Sequence, residues 1–115
     1  MSSRLDQIRT EQWEAKASAA GFHPLQLARL CQVSLRQLER HFLSAYQLTP
    51  KVWLAQYRLH EGHRLVLEGL LSVKAIAFQL NFKHPSSFSR AFKKFYGVSP
   101  TKFSSHRNPY SPFRK

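Results

Sequence analysis

A fifty-residue repeat limits what this chain can fold into more than any other feature. The stretch "LSAYQLTPKVW", Leu43 to Trp53, is echoed by "KKFYGVSPTKF", Lys93 to Phe103. Arg40 falls on Arg90, Phe42 on Phe92, Tyr46 on Tyr96, Leu48 on Val98, Thr49 on Ser99 and Pro50 on Pro100, all at one offset. Upstream, Ala28 pairs with Ala77 at an offset one residue shorter, so the second copy holds one extra residue in its turn. Each copy reads as a short helix, a tight turn and a second amphipathic helix. A hydroxyl residue followed by proline then opens the next helix. That pattern is a duplicated helix-turn-helix.

The rest of the chain reads as helices too. Strand-like alternation is absent, and breakers fall at helix-length spacing. The expected class is all-α, about seven helices, with two helix-turn-helix halves joined by a long bridging helix. A first helix is expected over about Asp6 to Ala20, with Ser3 and Asp6 as a capping box and Leu5, Ile8, Trp13 and Ala17 buried. A second runs from Pro24 to about Cys31, burying Leu27, Ala28 and Leu30. Ser34 caps a third, with Gln37 completing the box and Leu38, Phe42 and Ala45 or Tyr46 inward. Thr49 and Pro50 open the long fourth helix to Glu68, with Val52, Ala55, Leu59, Gly62 and Val66 on one stripe. Gly62 costs about 1 kcal/mol against alanine in a helix interior, so it marks a close helix crossing. Ser72 caps a fifth helix through Leu80, buried by Ile76, Ala77 and Leu80. Pro85 opens a sixth to Tyr96, with Phe88, Phe92 and Phe95 inward, and Pro100 opens a short seventh. The boundaries expected are 1–107 for the whole domain, about 6–49 and 72–107 for its halves, and about 50–68 for the bridge. Residues 108–115 read as a flexible basic tail.

Charge points to a polyanionic partner. Residues 1–57 carry seven basic and four acidic side chains, whereas residues 58–115 carry eleven and two. After Glu68 there is no acidic residue. Such a field attracts nucleic acid or an anionic surface. No apolar run is long enough to cross a membrane. The single cysteine, Cys31, excludes an internal disulfide, which suits a reducing, cytoplasmic setting, and its apolar surroundings read as structural. No Gly-rich phosphate loop, nucleophile elbow or carboxylate pair is present, so no enzyme activity and no cofactor are expected. His60 and His63 have a metal-compatible spacing, but nothing completes a site, so no metal is expected either.

In "LARLCQVSLRQLERHF", "LTPKVWLAQYRL" and "IAFQLNFKHPSSFSRAFKKFYGVSPTKF" the chain resembles the DNA-binding region of the AraC/XylS transcription regulators. The likeness covers roughly Pro24 to Arg107. It implies seven helices in two helix-turn-helix subdomains, whose recognition helices enter successive major grooves of double-stranded DNA. It also implies RNA polymerase as a partner, and an effector-binding or dimerisation domain outside these residues. Four positions depart from the family habit. Asn81 stands where glycine is usual, His84 where an acid is usual, Gln47 where glycine is common and Gly62 where alanine is common. Replacing the acid by His84 weakens the cap of the second recognition helix by about 1 kcal/mol.

Candidate DNA contacts follow from the helix faces together with that resemblance. On the third helix Arg36, Glu39 and Arg40 lie away from the apolar stripe and match base-reading positions. Arginine grips guanine O6 and N7 with two donors, and glutamate accepts from cytosine N4. On the sixth, Ser86, Ser89 and Arg90 take that role, the serines permissively. Candidates for phosphate are Ser34, Gln37, Lys83, Pro85, Lys93, Lys94, Lys102 and Arg107. The alternatives are ordinary: Arg40 or Arg90 in an ion pair with Glu39 or Glu61, Gln37 only as a cap, and the lysines as solvated surface. Arg58, on the bridge, reads as structural. Two competing functions stay open at this level. One is a protein-interaction module, and the other a nonspecific binder of polyanions.

Overall fold

The structure, a computed structural model, describes residues 4–107, with side chains described for 5–103. The tail expected at 108–115 lies outside the described residues, as does Ser3. Among the described residues there are seven α-helices and one 3-10 turn, and no strand. The all-α expectation therefore holds. The chain forms two compact units, Met1–Tyr57 and Arg58–Lys115, with the division inside the long fourth helix.

Unit 1 contains the 3-10 turn Arg4–Gln7, then α1 (Thr10–Ala19), α2 (Pro24–Leu30), α3 (Leu35–Tyr46) and the first two turns of α4 (Pro50–Glu68). The single first helix expected from Asp6 is corrected here: it breaks at Arg9. The apolar rhythm explains the break. Ile8 and Trp13 are five residues apart, which one helix face cannot join. The chain instead closes a 3-10 turn, Ile8 N–H to the Leu5 carbonyl, and restarts with Gln12 Oε1 accepting from the Arg9 N–H at 2.8 Å. Trp13, Ala17, Leu27, Ala28, Leu38, Phe42 and Leu54 form the core, with Phe42 set edge-on to Trp13 at 4.8 Å. Tyr46, not Ala45, continues the α3 stripe. Leu30 is exposed rather than buried, because α2 ends there and its stripe is already complete at Leu27 and Ala28. Cys31 is half-buried against this core.

Unit 2 contains the rest of α4, then α5 (Val73–Gln79), α6 (Pro85–Tyr96) and α7 (Pro100–Arg107). Phe88 and Phe92 are fully buried with Ile76, Ala77, Leu80, Leu65 and Val66. Phe95 is 54% exposed, contrary to expectation. The inward position one turn beyond Phe92 belongs to Tyr96, whose hydroxyl donates to the Leu59 carbonyl at 3.3 Å. Burial raises the pKa of that hydroxyl. Gly62 makes the close approach its type suggests. A Cβ built there would lie 2.7 Å from Phe88 Cε1 and 3.1 Å from Leu80 Cδ1. His63 lies among Phe92, Tyr96 and Phe103, an aromatic cluster rather than a ligand set.

The single stripe expected along α4 is also corrected. Val52 and Ala55 are exposed, and Leu54 and Leu65 are buried instead. The first turns of α4 serve the core of unit 1 and the later turns the core of unit 2.

Candidate nucleic-acid interface

Two helices carry the candidate contacts, and both are fixed from below by buried aromatics. In α3, Leu38 and Phe42 are fully buried, which turns Arg36 and Arg40 outward. In α6, Phe88 and Phe92 do the same for Ser86 and Arg90. Arg36 matches Ser86 and Arg40 matches Arg90 at the fifty-residue offset, so the two outward stripes correspond position by position. Leu43, 51% exposed, extends the α3 stripe by one more turn. It was absent from the sequence-based candidates, although the offset pairs it with Lys93. An apolar side chain at such a position suits a thymine methyl group.

The individual candidates divide as follows. Arg36, Arg40 and Arg90 are exposed, and among the described residues none makes an ion pair or side-chain hydrogen bond. The ion pairs considered for Arg40 and Arg90 do not form: Glu61 bonds Arg64 at 2.9 Å, and Glu39 stands half-buried without a partner among the described residues. Ser89 is half-buried on α6. Gln37 serves the cap: its Oε1 accepts from the Ser34 N–H at 2.9 Å, and its own N–H donates to Ser34 Oγ at 3.1 Å. That bond uses the Ser34 oxygen as acceptor and leaves its O–H free to donate. Lys83, Lys93, Lys94 and Lys102 are exposed, and Pro85 is half-buried at the first position of α6. Arg107 ends α7, with its side chain outside the described residues.

Each α3- or α6-bearing turn passes through a left-handed residue, Gln32 at φ 60° and Asn81 at φ 67°. Asn81 thus takes the conformation that a short polar side chain tolerates best after glycine. His84, extended at φ −133°, supplies no side-chain cap to α6. Behind this uncapped turn stands Arg58. Its Nε–H donates to the Leu80 carbonyl at 2.8 Å and an Nη2–H to the Asn81 carbonyl at 2.6 Å. Its guanidinium carbon lies 3.6 Å from the Phe82 ring centroid. Burial draws the Arg58 pKa below the usual guanidinium value. The structural role read for Arg58 in the sequence agrees with these contacts. Among the described residues no helix is long and apolar enough to cross a membrane.

The chain is similar to known proteins in sequence and in fold. The family described as Helix-turn-helix domain matches residues 27–106. The virulence regulon transcriptional activator VirF of Yersinia enterocolitica is 26% identical over 81 residues, 70% of this chain and 30% of VirF. The regulator CdhR of Pseudomonas aeruginosa is 35% identical over 77 residues, 67% of this chain and 23% of CdhR. The chain therefore spans under a third of the length of these curated relatives. In fold it is similar to the DNA-binding domain of AdpA, solved in complex with a target DNA. The TM-score is 0.79 at 24% identity, covering 98% of this chain and 100% of that one. It is also similar to an AraC-type regulator from Chromobacterium violaceum, with a TM-score of 0.73 at 20% identity over 96% of this chain and 100% of the other. With well over half of its residues inside the family match and its duplicated turns in the same order, the chain belongs to the helix-turn-helix domain family of the AraC type.

Proposed function

We propose that the chain binds double-stranded DNA sequence-specifically, as the DNA-binding domain of a bacterial-type transcription regulator. In this reading α3 and α6 are its two recognition helices, entering successive major grooves about 10 bp apart. The observation that carries it is a pair of helices whose apolar faces are fully buried while their arginines stand exposed and unpaired among the described residues. Arginines held only for stability would be expected in ion pairs or against carbonyls, as Arg64 and Arg58 are. Further support comes from AdpA, solved with a target DNA, and from the regulator names of VirF and CdhR.

The roles then follow from chemistry. Arg36, Arg40 and Arg90 read guanine with two donors each, and Glu39 accepts from cytosine. Ser86 and Ser89 contact bases permissively. Ser34, Gln37, Lys83, Pro85, Lys93, Lys94, Lys102 and Arg107 meet phosphate. The domain is taken as 1–107, its halves about 6–49 and 72–107, and its bridge about 50–68. RNA polymerase, a cytoplasmic setting and an effector or dimerisation domain outside these residues belong to the same reading.

Selection of bound sequences from random duplex DNA tests it. Arg36→Ala and Arg90→Ala should each lose about 1–3 kcal/mol on the selected site and far less on random duplex. Equal losses on both would remove the specificity. Lys93→Ala and Lys94→Ala should each lower the salt slope by about one on every sequence.

A further inference from the structure

We infer that Arg58 is a positioning residue for α6, setting occupancy of the second DNA segment although it touches no DNA itself. The inference rests on the DNA-binding reading above. Its physical basis lies wholly within unit 2. The carbonyls of Leu80, the C-cap of α5, and of Asn81, the left-handed residue after it, stand just beyond the partly negative end of α5, where the chain must turn toward α6. One planar guanidinium fork meets both, at 2.8 Å and 2.6 Å. Its face covers Phe82, whose ring lies 5.4 Å from Phe88, and Phe88 lies 5.7 Å from Phe92. Both phenylalanines are on α6. The clamp thus runs from the bridge, through the turn, into the buried face of the recognition helix.

The need for a clamp is local. In unit 1 the start of α3 is locked by the reciprocal Ser34–Gln37 bonds. In unit 2 His84 gives no such bond, and the turn is one residue longer, at Lys83. The clamp is present in the copy that lacks the cap. With its Nε–Nη2 edge bonded to two carbonyls and one face against Phe82, the guanidinium is held by protein groups.

Wild type, Arg58→Lys, Arg58→Met, Arg36→Ala and Arg90→Ala are compared on the duplex the wild type selects. The readouts are hydroxyl-radical footprints, salt titrations, and amide exchange of the free protein. A lysine keeps the charge but has no fork, so Arg58→Lys should bind the selected duplex about ten-fold more weakly, as loss of a charge-assisted hydrogen bond implies. It should lose protection over the segment that Arg90→Ala loses and keep the segment that Arg36→Ala loses. Its salt slope should match wild type. The Phe82 and Ser87 amides, bonded to Ala77 and His84 carbonyls, should exchange faster. Adding His84→Ser to Arg58→Lys should restore part of the affinity, which a simple loss of core packing would not allow. Arg58→Met tests the same segment without the charge. If it fails to fold, Arg58→Lys alone decides the matter.

A salt slope lowered by about one, with equal weakening on random duplex, would make Arg58 a phosphate contact and overturn the proposal. Unchanged second-segment protection together with unchanged exchange would overturn it too. A wild type that selects no sequence would instead sink the DNA-binding reading and this inference with it. Faster Phe82 and Ser87 exchange would then still distinguish an intact clamp from a failed one.

Discussion

In unit 1 the outward helix begins at Ser34, whose side chain and that of Gln37 satisfy two otherwise orphaned backbone donors. In unit 2 the matching position is His84, whose side chain caps nothing, although its carbonyl accepts from the Ser87 N–H at 3.0 Å, and the turn is held by Arg58 from another helix. The two ends of α3 and α6 differ as well. Gln47 takes the left-handed position after α3 at φ 60°, where Gly97 takes it after α6 at φ 89°. Unit 1 thus has a strong local start and a costly stop, and unit 2 a weak start and an easy stop. Duplication has kept the aromatic core and let the helix ends diverge. The core needs shape from many residues at once, whereas an end needs only one or two hydrogen bonds from any source.

The largest effects should come from what the units share. Phe42 and Phe92 are both fully buried at equivalent positions. Phe42→Ala and Phe92→Ala should each cost about 3–5 kcal/mol, the range for emptying a buried phenylalanine site. Denaturant unfolding checks this, with each unit followed by its own amide exchange. If one substitution costs under about 1 kcal/mol, well below that range, the cores are not equivalent and the comparison fails.

Gly62 belongs to unit 2 alone, and its effect should be intermediate. An added methyl would gain about 1 kcal/mol of helix propensity. It would also press a buried ring whose nearest atom lies 2.7 Å away. Overpacking of this kind costs about 1–3 kcal/mol, so Gly62→Ala should come out net destabilising. A rise in melting temperature would show that Phe88 can retreat, and that this crossing is looser than the shared core.

Much of the fold was legible because caps and prolines are local. Ser34, Thr49, Ser72 and Ser99 each accept from the N–H three residues on, as their spacing implied. The outward faces of α3 and α6 were legible for the same reason, once the phenylalanine stripes were fixed. Phe95 was misread because two aromatics compete at the end of α6. The repeat could have settled it, since Tyr96 pairs with Tyr46 and Phe95 only with Ala45. The α4 stripe was placed too far round the helix, because Val52, Trp53, Leu54 and Ala55 are consecutive apolar residues and periodicity alone does not mark which of them is covered. The Arg58 bonds were not readable at all: their acceptors are backbone carbonyls 22 and 23 residues away, which no side-chain pattern marks.

The smallest effects test the divergence at the helix starts, and there the two units should respond with opposite signs. Ser34→Ala removes a side-chain acceptor that the Gln37 N–H now uses, and should destabilise unit 1 by about 1 kcal/mol. His84→Ser supplies a side-chain acceptor where His84 offers only its backbone carbonyl, to the Ser87 N–H. The backbone at His84 is extended, at φ −133° and ψ 137°, so a serine there reaches the capping conformation of Ser34, at φ −74° and ψ 159°, by a rotation within the extended region. It should stabilise unit 2 by about 0.5–1 kcal/mol, the lower part of the capping range, because Arg58 already holds the turn. Thermal melts of the two single variants read the signs directly. A loss at both positions would mean that His84 contributes something a serine cannot replace, and that unit 2 is not the copy with the unfinished start.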